Sequence, residues 1–578
     1  MQKENKHNPY SDKRFIGFVT FVSPGVTKVH FPSSLLLKKF FDDSYSYQAL
    51  TGSYVIVEGP DYGFLGKIIE VGLPEKERLD LTESKFEKQD FHPTGKIEIL
   101  LCFNNYELKG KKGLDQLPTV SAKVFLCSNS FLGHLLADFG QKKKKQGEPE
   151  RDNLISLAHL PNDEQQQILV SADALFGRHC AVLGTTGGGK SWTVAKLIEQ
   201  IVEKNGKAIL IDATGEYETL KSQKIQYFKF NSPTESGIHF KYESLRETDL
   251  FALFRPSQQS QLPKLQEAMK SLRLVQLLEI NPIPSDSDED GETRDFIKSN
   301  PNGFKILEKK GGINDFPILA SFKRNPAVYS QKCAFDILAL ANQLIKECVN
   351  ENNALNNCQS LISRILLTIN QESFSNVFQF RKSVVESSRD LEAIYSDFVK
   401  DPEKNILILS VADVPTENKL KEILVNSIGR FLLERALSKE FKDRKKSLLI
   451  FLDEAHLFLN KKIKDEYSIE VELDAFDRIA KECRKFGLFL VISTQMPRDI
   501  PRSVLSQMGT FIVHRLINQQ DREAIEYACS EANKSALSFL PILSSGEAML
   551  TGVDFPMPII LKINQPIVEP DSDTPPVF

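Results

Sequence analysis

The stretch GTTGGGKS, which begins at Gly184 and ends at Ser191, decides the fold because it fits the pattern G-x-x-x-x-G-K-[ST] at every fixed position. It follows a short apolar run, Cys180–Leu183, that is typical of a buried strand. Behind it, apolar residues recur with the 3.6-residue period of a helix. A strand, a glycine-rich loop and a helix in this order form a cradle for a polyphosphate. The sequence therefore predicts a nucleoside triphosphate site on an α/β fold.

Two side chains of this stretch carry specific chemistry. Lys190 places a positive charge on the β- and γ-phosphates, and the Ser191 hydroxyl is the expected ligand of Mg²⁺. Glycines let the backbone N–H groups approach the phosphates closely. We therefore expect ATP and Mg²⁺ as cofactors. The predicted nucleotide-binding residues here are Gly184, Thr185, Thr186, Gly187, Gly188, Gly189, Lys190, Ser191 and Trp192.

An acidic motif follows a second apolar run in SLLIFLDEAH, residues 447–456. Asp453 is predicted to hold Mg²⁺ at the end of the strand, and Glu454 to orient and deprotonate the attacking water. Alone, the motif also fits a buried strand that ends in a solvated acidic turn. Paired with the phosphate loop, it predicts hydrolysis of ATP by an enzyme of the branch that includes RecA-like motors.

Three more polar residues lie on either side of a third apolar run, LFLVIST, two before it and one directly after it. Gln495 follows this strand and is predicted to sense the γ-phosphate; the alternative is a glutamine that caps the strand. Arg478 and Arg484 are six residues apart on a predicted helix and therefore point to different faces. One of them is expected to enter a neighbouring subunit's site. We assign this role to Arg484, with Arg478 as the second choice, and a surface salt bridge as the alternative for each.

The region before the phosphate loop is predicted to be a small β-barrel in residues 1–140. Short runs rich in β-forming residues alternate there with Gly, Pro and polar turn clusters. The runs are Phe15–Val22, 54–58, 66–71, 96–101 and 120–126.

The rest of the chain is predicted to be a RecA-like core with a parallel sheet and a helical insertion. Core strands are expected at 208–211 and 406–411, with a helix that ends at Leu437 and another from about Val471. The predicted domains are a linker and entry to the core at 141–177, the first part of the core at 178–235, the insertion at 236–404, the second part of the core at 405–560 and a tail at 561–578. The linker contains Lys142–Lys145, which we interpret as solvated, with contact to a nucleic acid backbone as the alternative. The insertion contains an acidic loop at 281–293.

Composition excludes several classes of protein. Hydrophobic residues make up 41% and charged residues 26% of the 578 residues, as in soluble globular proteins. No apolar run is long enough to span a membrane, and the N-terminus has no secretory signal, so we expect a cytoplasmic protein of a prokaryote. The 8 cysteines form no C-x-x-C pair, which argues against a zinc site or disulfide framework. The net charge of −4 means that any contact with DNA must be local.

The motor blocks resemble the HerA family of the HerA/FtsK superfamily. The similar segments are RHCAVLGTTGGGKS, ILIDATGEYETL, LLIFLDEAHLF, RIAKECRKFGLFLVISTQMPRDI, VLSQMGTFIVHRLINQQDREAI and SSGEAML. They cover about 178–218 and 447–552, and the predicted barrel takes the place of the family's own barrel. Related conjugative coupling ATPases lack such a barrel.

The resemblance implies a homohexameric ring that hydrolyses ATP and pumps double-stranded DNA through its pore. It also implies an effector on the barrel face: a NurA-type or other nuclease in DNA repair, or a sirtuin-like NAD hydrolase in antiviral defence. No membrane partner is implied. A nucleotide-dependent scaffold that assembles an effector and moves little DNA is the alternative. Lys461, Lys462 and Lys464 are candidate pore residues, with solvated lysines as the favoured interpretation.

Further site residues come from the resemblance alone. Asp212, Gly215 and Glu216 of DATGEY match a family motif near the nucleotide, and Glu216 is assigned to Mg²⁺ or the attacking water. Its alternative is a carboxylate at a helix N-terminus. Arg515 of IVHRL is expected close to the nucleotide. This chain has Thr214 where the family usually has histidine, so that any role of the histidine is lost or replaced. It also has Gly188 where serine is commoner.

Overall fold

A computed structural model describes most of the chain as two compact units, Met1–Lys204 with Phe489–Glu569 and Asn205–Leu488 with Pro570–Phe578. The predicted lysine-rich linker and acidic loop lie outside the described residues. The described residues are 8–34, 50–74, 90–111, 116–137, 153–161, 163–280, 295–349, 351, 353–381, 388–443, 447–459, 461–464, 468–529, 534–555 and 557–572.

The first unit begins with an antiparallel barrel. Its strands pair in the order β2-β1-β7-β3-β4-β5, and β2 also pairs with β5, which closes the sheet; β6 adds to the outer side of β5. Aliphatic and aromatic side chains such as Ile16, Val29 and Val55 fill the interior. The strands are β1 (Phe15–Val22), β2 (Thr27–His30), β3 (Tyr54–Val57), β4 (Tyr62–Gly72), β5 (Thr94–Asn104), β6 (Gly110–Lys111) and β7 (Lys123–Leu126).

The same unit contains the sheet that carries the phosphate loop, with the order β21-β10-β22-β23-β24-β8-β9. Strand β10 is parallel to β21 and β22, whereas β22 to β9 pair in antiparallel fashion. All four residues of β10 are buried, which explains its unbroken apolar sequence. The strands are β8 (Leu154–Leu160), β9 (Asp163–Ser171), β10 (Cys180–Leu183), β21 (Leu488–Thr494), β22 (Thr510–Val513), β23 (Glu547–Gly552) and β24 (Ile559–Ile563).

One helix of the first unit directly follows the phosphate loop. It begins at Lys190 and buries Val194, Leu197 and Ile198, as the apolar period predicts. The helices are α1 (Asn129–Ala137), α2 (Ala172–Phe176), α3 (Lys190–Glu203), α14 (Arg502–Leu505), α15 (Gln519–Ala528) and α16 (Lys534–Leu537). Short 3-10 turns lie at Asp12–Arg14, Pro497–Asp499 and Leu540–Ile542.

The second unit is built on a parallel sheet with the order β16-β13-β12-β17-β11-β18. In this register Ile211 lies opposite Leu452, so Asp212 and Asp453 follow at the same edge. The predicted strands at 208–211 and 406–411 are confirmed, but the sheet also continues through β12 and β13, where we expected no strand. The strands are β11 (Ala208–Asp212), β12 (Ile225–Phe230), β13 (Gly237–His239), β16 (Arg389–Asp390), β17 (Ile406–Ser410) and β18 (Leu448–Leu452).

Helices fill most of the second unit between β13 and β17. They are α4 (Glu247–Phe254), α5 (Gln261–Ile280), α6 (Phe316–Arg324), α7 (Leu340–Val349), α8 (Ala354–Asn370), α9 (Glu372–Phe378) and α10 (Leu391–Lys400), followed by α11 (Leu420–Leu437), α12 (Glu440–Asp443) and α13 (Ala475–Glu482). Two antiparallel hairpins pair β14 (Ile297–Ser299) with β15 (Lys305–Leu307) and β19 (Lys461–Ile463) with β20 (Val471–Leu473). Further 3-10 turns are Glu218–Leu220, Tyr242–Ser244, Gly312–Asp315, Pro326–Tyr329, Ile337–Ala339, Glu417–Lys419, Ala455–Leu457 and Arg484–Phe486.

Two predictions about the segment after β18 are wrong. Val471 begins strand β20 and not a helix, because it pairs with Ile463 in the hairpin. Helix α13 ends at Glu482, and a separate 3-10 turn contains Arg484. That turn ends at Gly487, whose φ of 82° favours glycine. Arg478 and Arg484 therefore lie on different elements.

The predicted fold class is confirmed: an α/β P-loop core follows an N-terminal β-barrel and contains a helical insertion. Across the described ranges, no helix combines the length and the apolar character that a membrane crossing requires.

Candidate nucleotide-binding site

The phosphate loop connects β10 to α3 in the first unit. The Thr185 N–H donates to the Arg515 carbonyl at 3.0 Å, and the Gly188 N–H donates to the Thr185 carbonyl at 3.1 Å. Gly187 and Gly189 have φ of 70° and 105°, in the left-handed region where glycine is favoured. A Cβ on Gly187 would meet no atom within 4 Å, so the loop is open above this residue. This geometry fits a polyphosphate.

The Lys190 side chain is turned back over the loop. Its Nζ lies 3.5 Å from the Thr185 carbonyl oxygen, and the residue is only 6% exposed. Trp192 is half-buried in the first turn of α3. The first turn thus holds the ammonium group against the backbone that would wrap a phosphate.

Residues just before β23 form hydrogen bonds with the carbonyl groups of the loop. The Ser545 hydroxyl donates to the Gly187 carbonyl at 3.1 Å, and the Gly546 N–H donates to the Gly188 carbonyl at 3.3 Å. These contacts give a structural role to the SSGEAML segment. Because the two segments are far apart in sequence, the spacing of residues alone could not indicate this contact.

His514 is a site residue that the sequence reasoning missed. It is fully buried beneath the loop, with Nε2 2.8 Å from the Thr193 hydroxyl and Nδ1 2.9 Å from the Glu547 carbonyl oxygen. Burial lowers the pKa of His514 to about 4, so the ring is neutral near pH 7. Its place beside Arg515 in the IVHRL segment was the available signal.

Gln495 and Arg515 both contact the loop. Strand β21 runs parallel to β10 with Thr494 opposite Leu183, which brings Gln495 beside the loop, where its Oε1 accepts a hydrogen bond from the Thr186 hydroxyl. Arg515 contacts the loop through its carbonyl, whereas its Nε donates to the Pro541 carbonyl at 3.1 Å. The side chain of Arg515 is exposed.

The acidic pair lies at the end of β18 in the second unit. Asp453 and Glu454 are 5% and 8% exposed, and the Asp453 N–H donates to the Ile211 carbonyl at 3.2 Å. Glu454 has φ 43° and ψ 49°, a left-handed conformation that residues other than glycine adopt rarely and often at functional sites. Its Oε2 lies 3.2 Å from Nδ1 of His456.

Asp212 organises the DATGEY turn at the neighbouring strand end. Its carboxylate accepts the backbone N–H groups of Thr214, Gly215 and Tyr217 at 3.3, 2.7 and 3.4 Å. Burial raises the pKa of Asp212 to about 6, against the effect of these donors. The Glu216 side chain is half-buried, and its carbonyl accepts the Asp571 N–H at 2.8 Å.

The two candidate arginines differ in their surroundings. Arg478 forms an ion pair with Glu482 one turn later, with Nε 3.3 Å from Oε1, and this partner raises the pKa of Arg478. The Arg484 side chain is exposed and forms no ion pair with any residue that the structure describes. The surface-pair interpretation therefore fits Arg478 better than Arg484.

Of the candidate pore lysines, two are paired within their own hairpin. Lys462 contacts Glu470 and Glu472 at 2.6 and 2.9 Å, and Lys464 contacts Glu470 at 3.7 Å. The sequence favours solvated lysines here, and the exposed positions of Lys462 and Lys464 fit that interpretation, whereas their ion pairs are seen only in the structure.

Two family models match this chain between residues 155 and 572. A model described as "Helicase HerA, central domain" matches residues 155–428, and one described as "Helicase HerA-like C-terminal" matches residues 435–572. Together they span more than half of the chain. The chain belongs to the HerA family. As a member of this family with a complete phosphate-loop motif, it is an ATP-hydrolysing enzyme.

Curated relatives of this HerA-family chain include archaeal helicases. The "DNA double-strand break repair helicase HerA" of Sulfurisphaera tokodaii is 24% identical over 534 residues, which are 89% of this chain and 88% of the relative. The "Probable helicase MJECL08" of Methanocaldococcus jannaschii is 26% identical over 419 residues, 71% of this chain and 70% of the relative. Among solved structures, the bacterial conjugative coupling protein TrwBdeltaN70 is similar, with 14% identity, a TM-score of 0.43 and coverage of 76% of this chain and 94% of that one.

Proposed function

We propose that this HerA-family chain is an ATP-driven motor that forms a homohexameric ring and moves double-stranded DNA. The phosphate loop carries the proposal, because its glycine conformations, its open face and the inward Lys190 form a cradle for a triphosphate. Relatives named as DNA double-strand break repair helicases support DNA as the cargo.

In this proposal, the backbone from Gly184 to Gly189 wraps the phosphates and Lys190 neutralises the β- and γ-phosphates. The Ser191 hydroxyl and the Asp453 carboxylate would hold Mg²⁺, since both offer the oxygen ligands that this ion prefers. When bound, Mg²⁺ supplies charge neutralisation for the transferred phosphoryl group. Trp192 and Arg515 are assigned to the remaining surface of the nucleotide.

The chemical step is assigned to Glu454 as the general base that orients and deprotonates water. The burial of Glu454 and its left-handed backbone support the assignment, because they fix the direction in which the side chain leaves the backbone. Gln495 is assigned as the sensor of the γ-phosphate, supported by its hydrogen bond with Thr186. Glu216 is assigned to assist at Mg²⁺ or the water.

Arg484 is assigned as the arginine that enters the site of the adjacent subunit. Its exposure and its place on a short turn outside α13 support this role. Arg478 remains the second choice, because its pair with Glu482 would have to break first.

The N-terminal barrel is proposed as the docking domain of an effector, a nuclease or an NAD hydrolase, in DNA repair or antiviral defence. The domain layout predicted from the sequence and a cytoplasmic location in a prokaryote belong to the same proposal. The closed barrel supports a docking role, since its strands are paired with one another and its outer surface can contact a partner.

The deciding experiment compares ATP turnover of the full chain with and without duplex DNA, together with DNA binding measured by fluorescence anisotropy. A motor is expected to bind duplex DNA and to hydrolyse ATP faster in its presence. The motor function would be contradicted if duplex DNA neither bound to the chain nor changed its ATP turnover, both alone and with any effector protein that co-purifies with it. That result would favour a nucleotide-dependent scaffold.

A further inference from the structure

We propose that His514 is a positioning residue. Its contacts hold the phosphate loop and the first turn of α3 in the conformation that accepts a triphosphate. The inference rests on the proposed ATP site and extends it to a residue outside the nucleotide-binding motifs. The packing of His514 against three glycines of the loop and the two hydrogen bonds of its ring support the inference.

Three glycines of the loop are packed against this histidine. A Cβ on Gly184 would lie 2.6 Å from the His514 Cβ, and one on Gly188 would lie 3.4 Å from it. A Cβ on Gly189 would lie 3.4 Å from Cε1 of the ring. The imidazole therefore fills the space beneath the loop and sets how closely the loop backbone approaches β22.

The hydrogen bonds of the ring define one tautomer. The Glu547 carbonyl can only accept, so Nδ1 carries the proton that is donated across 2.9 Å. The neutral ring then accepts at Nε2, and the Thr193 hydroxyl donates to it across 2.8 Å. The Gly189 carbonyl also lies 3.0 Å from that hydroxyl and accepts the Thr193 N–H at 3.0 Å, so the single hydroxyl proton is shared between this carbonyl and Nε2. His514 thus connects the start of β23 to α3.

The position of Thr193 explains why this connection matters for ATP. Thr193 lies in the same helical turn as Lys190 and Ser191, the residues assigned to the phosphates and to Mg²⁺. Loss of the connection leaves the first turn free to rotate or shift. A small displacement of groups that bind a polyphosphate lowers affinity and rate together.

The test substitutes His514→Asn in the full chain. An asparagine amide can still donate to the Glu547 carbonyl but offers no acceptor at the Nε2 position. We expect the Kd for a fluorescent ATP derivative to rise about tenfold, with a similar fall in kcat/KM, as for loss of a buried hydrogen bond. Thr193→Val should act in the same direction. The double variant should bind no more weakly than His514→Asn alone, since both remove one contact.

A matched control is His179→Asn in the same unit. His179 is buried too, its Nδ1 accepts the Leu490 N–H at 2.8 Å, and its φ of 63° suits asparagine. Equal Kd values for the two asparagine variants would overturn the proposal, and so would additive effects in the double variant. If His514→Asn does not fold, Thr193→Val decides alone, and wild-type affinity in it overturns the proposal. Because binding is measured without turnover, a wild type that lacks hydrolysis contradicts only the proposed function.

Discussion

Glu454 combines a buried carboxylate with a left-handed backbone, directly after the Mg²⁺ candidate Asp453. We expect Glu454→Gln to keep ATP bound but to lower kcat by at least ~100-fold, because the amide cannot accept a proton from water. Lys190→Ala is the contrasting variant and should lose tight nucleotide binding. Phosphate release and nucleotide binding, measured on the same preparations, separate the two effects. Near-normal turnover of the glutamine variant would refute Glu454 as the base.

Gly184 gives a second prediction at the scale of one residue. Gly184→Ala places a methyl group 2.6 Å from the His514 Cβ, so the loop and β22 must move apart. We expect the KM for ATP to rise about tenfold, since the phosphate cradle is displaced. Gly25→Ala is the control, because a Cβ there meets no atom within 4 Å. Equal KM values for the two variants would contradict the prediction.

The sequence predicts those site residues whose chemistry is tied to fixed spacing, such as Lys190, Ser191 and Asp453. It does not predict His514, because its role depends on β22 lying beside β10, a pairing across more than 300 residues. The different surroundings of Arg478 and Arg484 could also not be predicted from the sequence. No signal in the sequence places a helix end between them before Gly487.

At the scale of elements, apolar buried strands are predictable from the sequence, and strands of two or three residues are not. Strands β10, β11, β17 and β18 are buried along their whole length, and their sequences are apolar except for Asp212 and Ser410 at the ends of β11 and β17. Strands β13, β16 and β20 have only two or three residues, too few to show a period. In β12, Gln226 and Lys229 interrupt the apolar run at partly exposed positions.

The barrel strand β4 carries a buried cation that makes stability depend on pH. The Nζ of Lys67 lies 3.8 Å from the ring centroid of Phe539, and burial lowers the pKa of Lys67 to about 8. Between this value and the unfolded pKa of about 10.4, the unfolded chain binds more protons than the folded one. Stability contributed by Lys67 therefore rises as the pH rises from 8 to 10.

We expect the denaturation midpoint of the wild type to rise relative to that of Lys67→Met as the pH increases from 8 to 10. The fluorescence of Trp192, the single tryptophan, reports unfolding of the unit that contains the barrel. A constant difference between the two proteins from pH 8 to 10 would show that Lys67 keeps the same protonation state folded and unfolded.

At the scale of the whole assembly, the arginine assignment predicts complementation between subunits. Arg484→Ala and Glu454→Gln chains should each be inactive alone, and mixed rings should regain ATP turnover, because an intact base can then meet an intact arginine of its neighbour. Two affinity tags on the two variants confirm that mixed rings form. Arg478→Ala in place of Arg484→Ala is the matched control. Mixed rings without any recovered turnover would remove Arg484 from this role.

The pairing of β10 with β22, and of β8 with β24, has a consequence for biosynthesis. The ribosome completes the glycine-rich motif long before it reaches His514 and Ser545, the residues that support the loop and follow it by more than 300 residues. A nascent or prematurely terminated chain therefore carries the whole motif but lacks its support. We therefore expect a chain that ends before His514 to bind ATP more weakly than the chain that contains it.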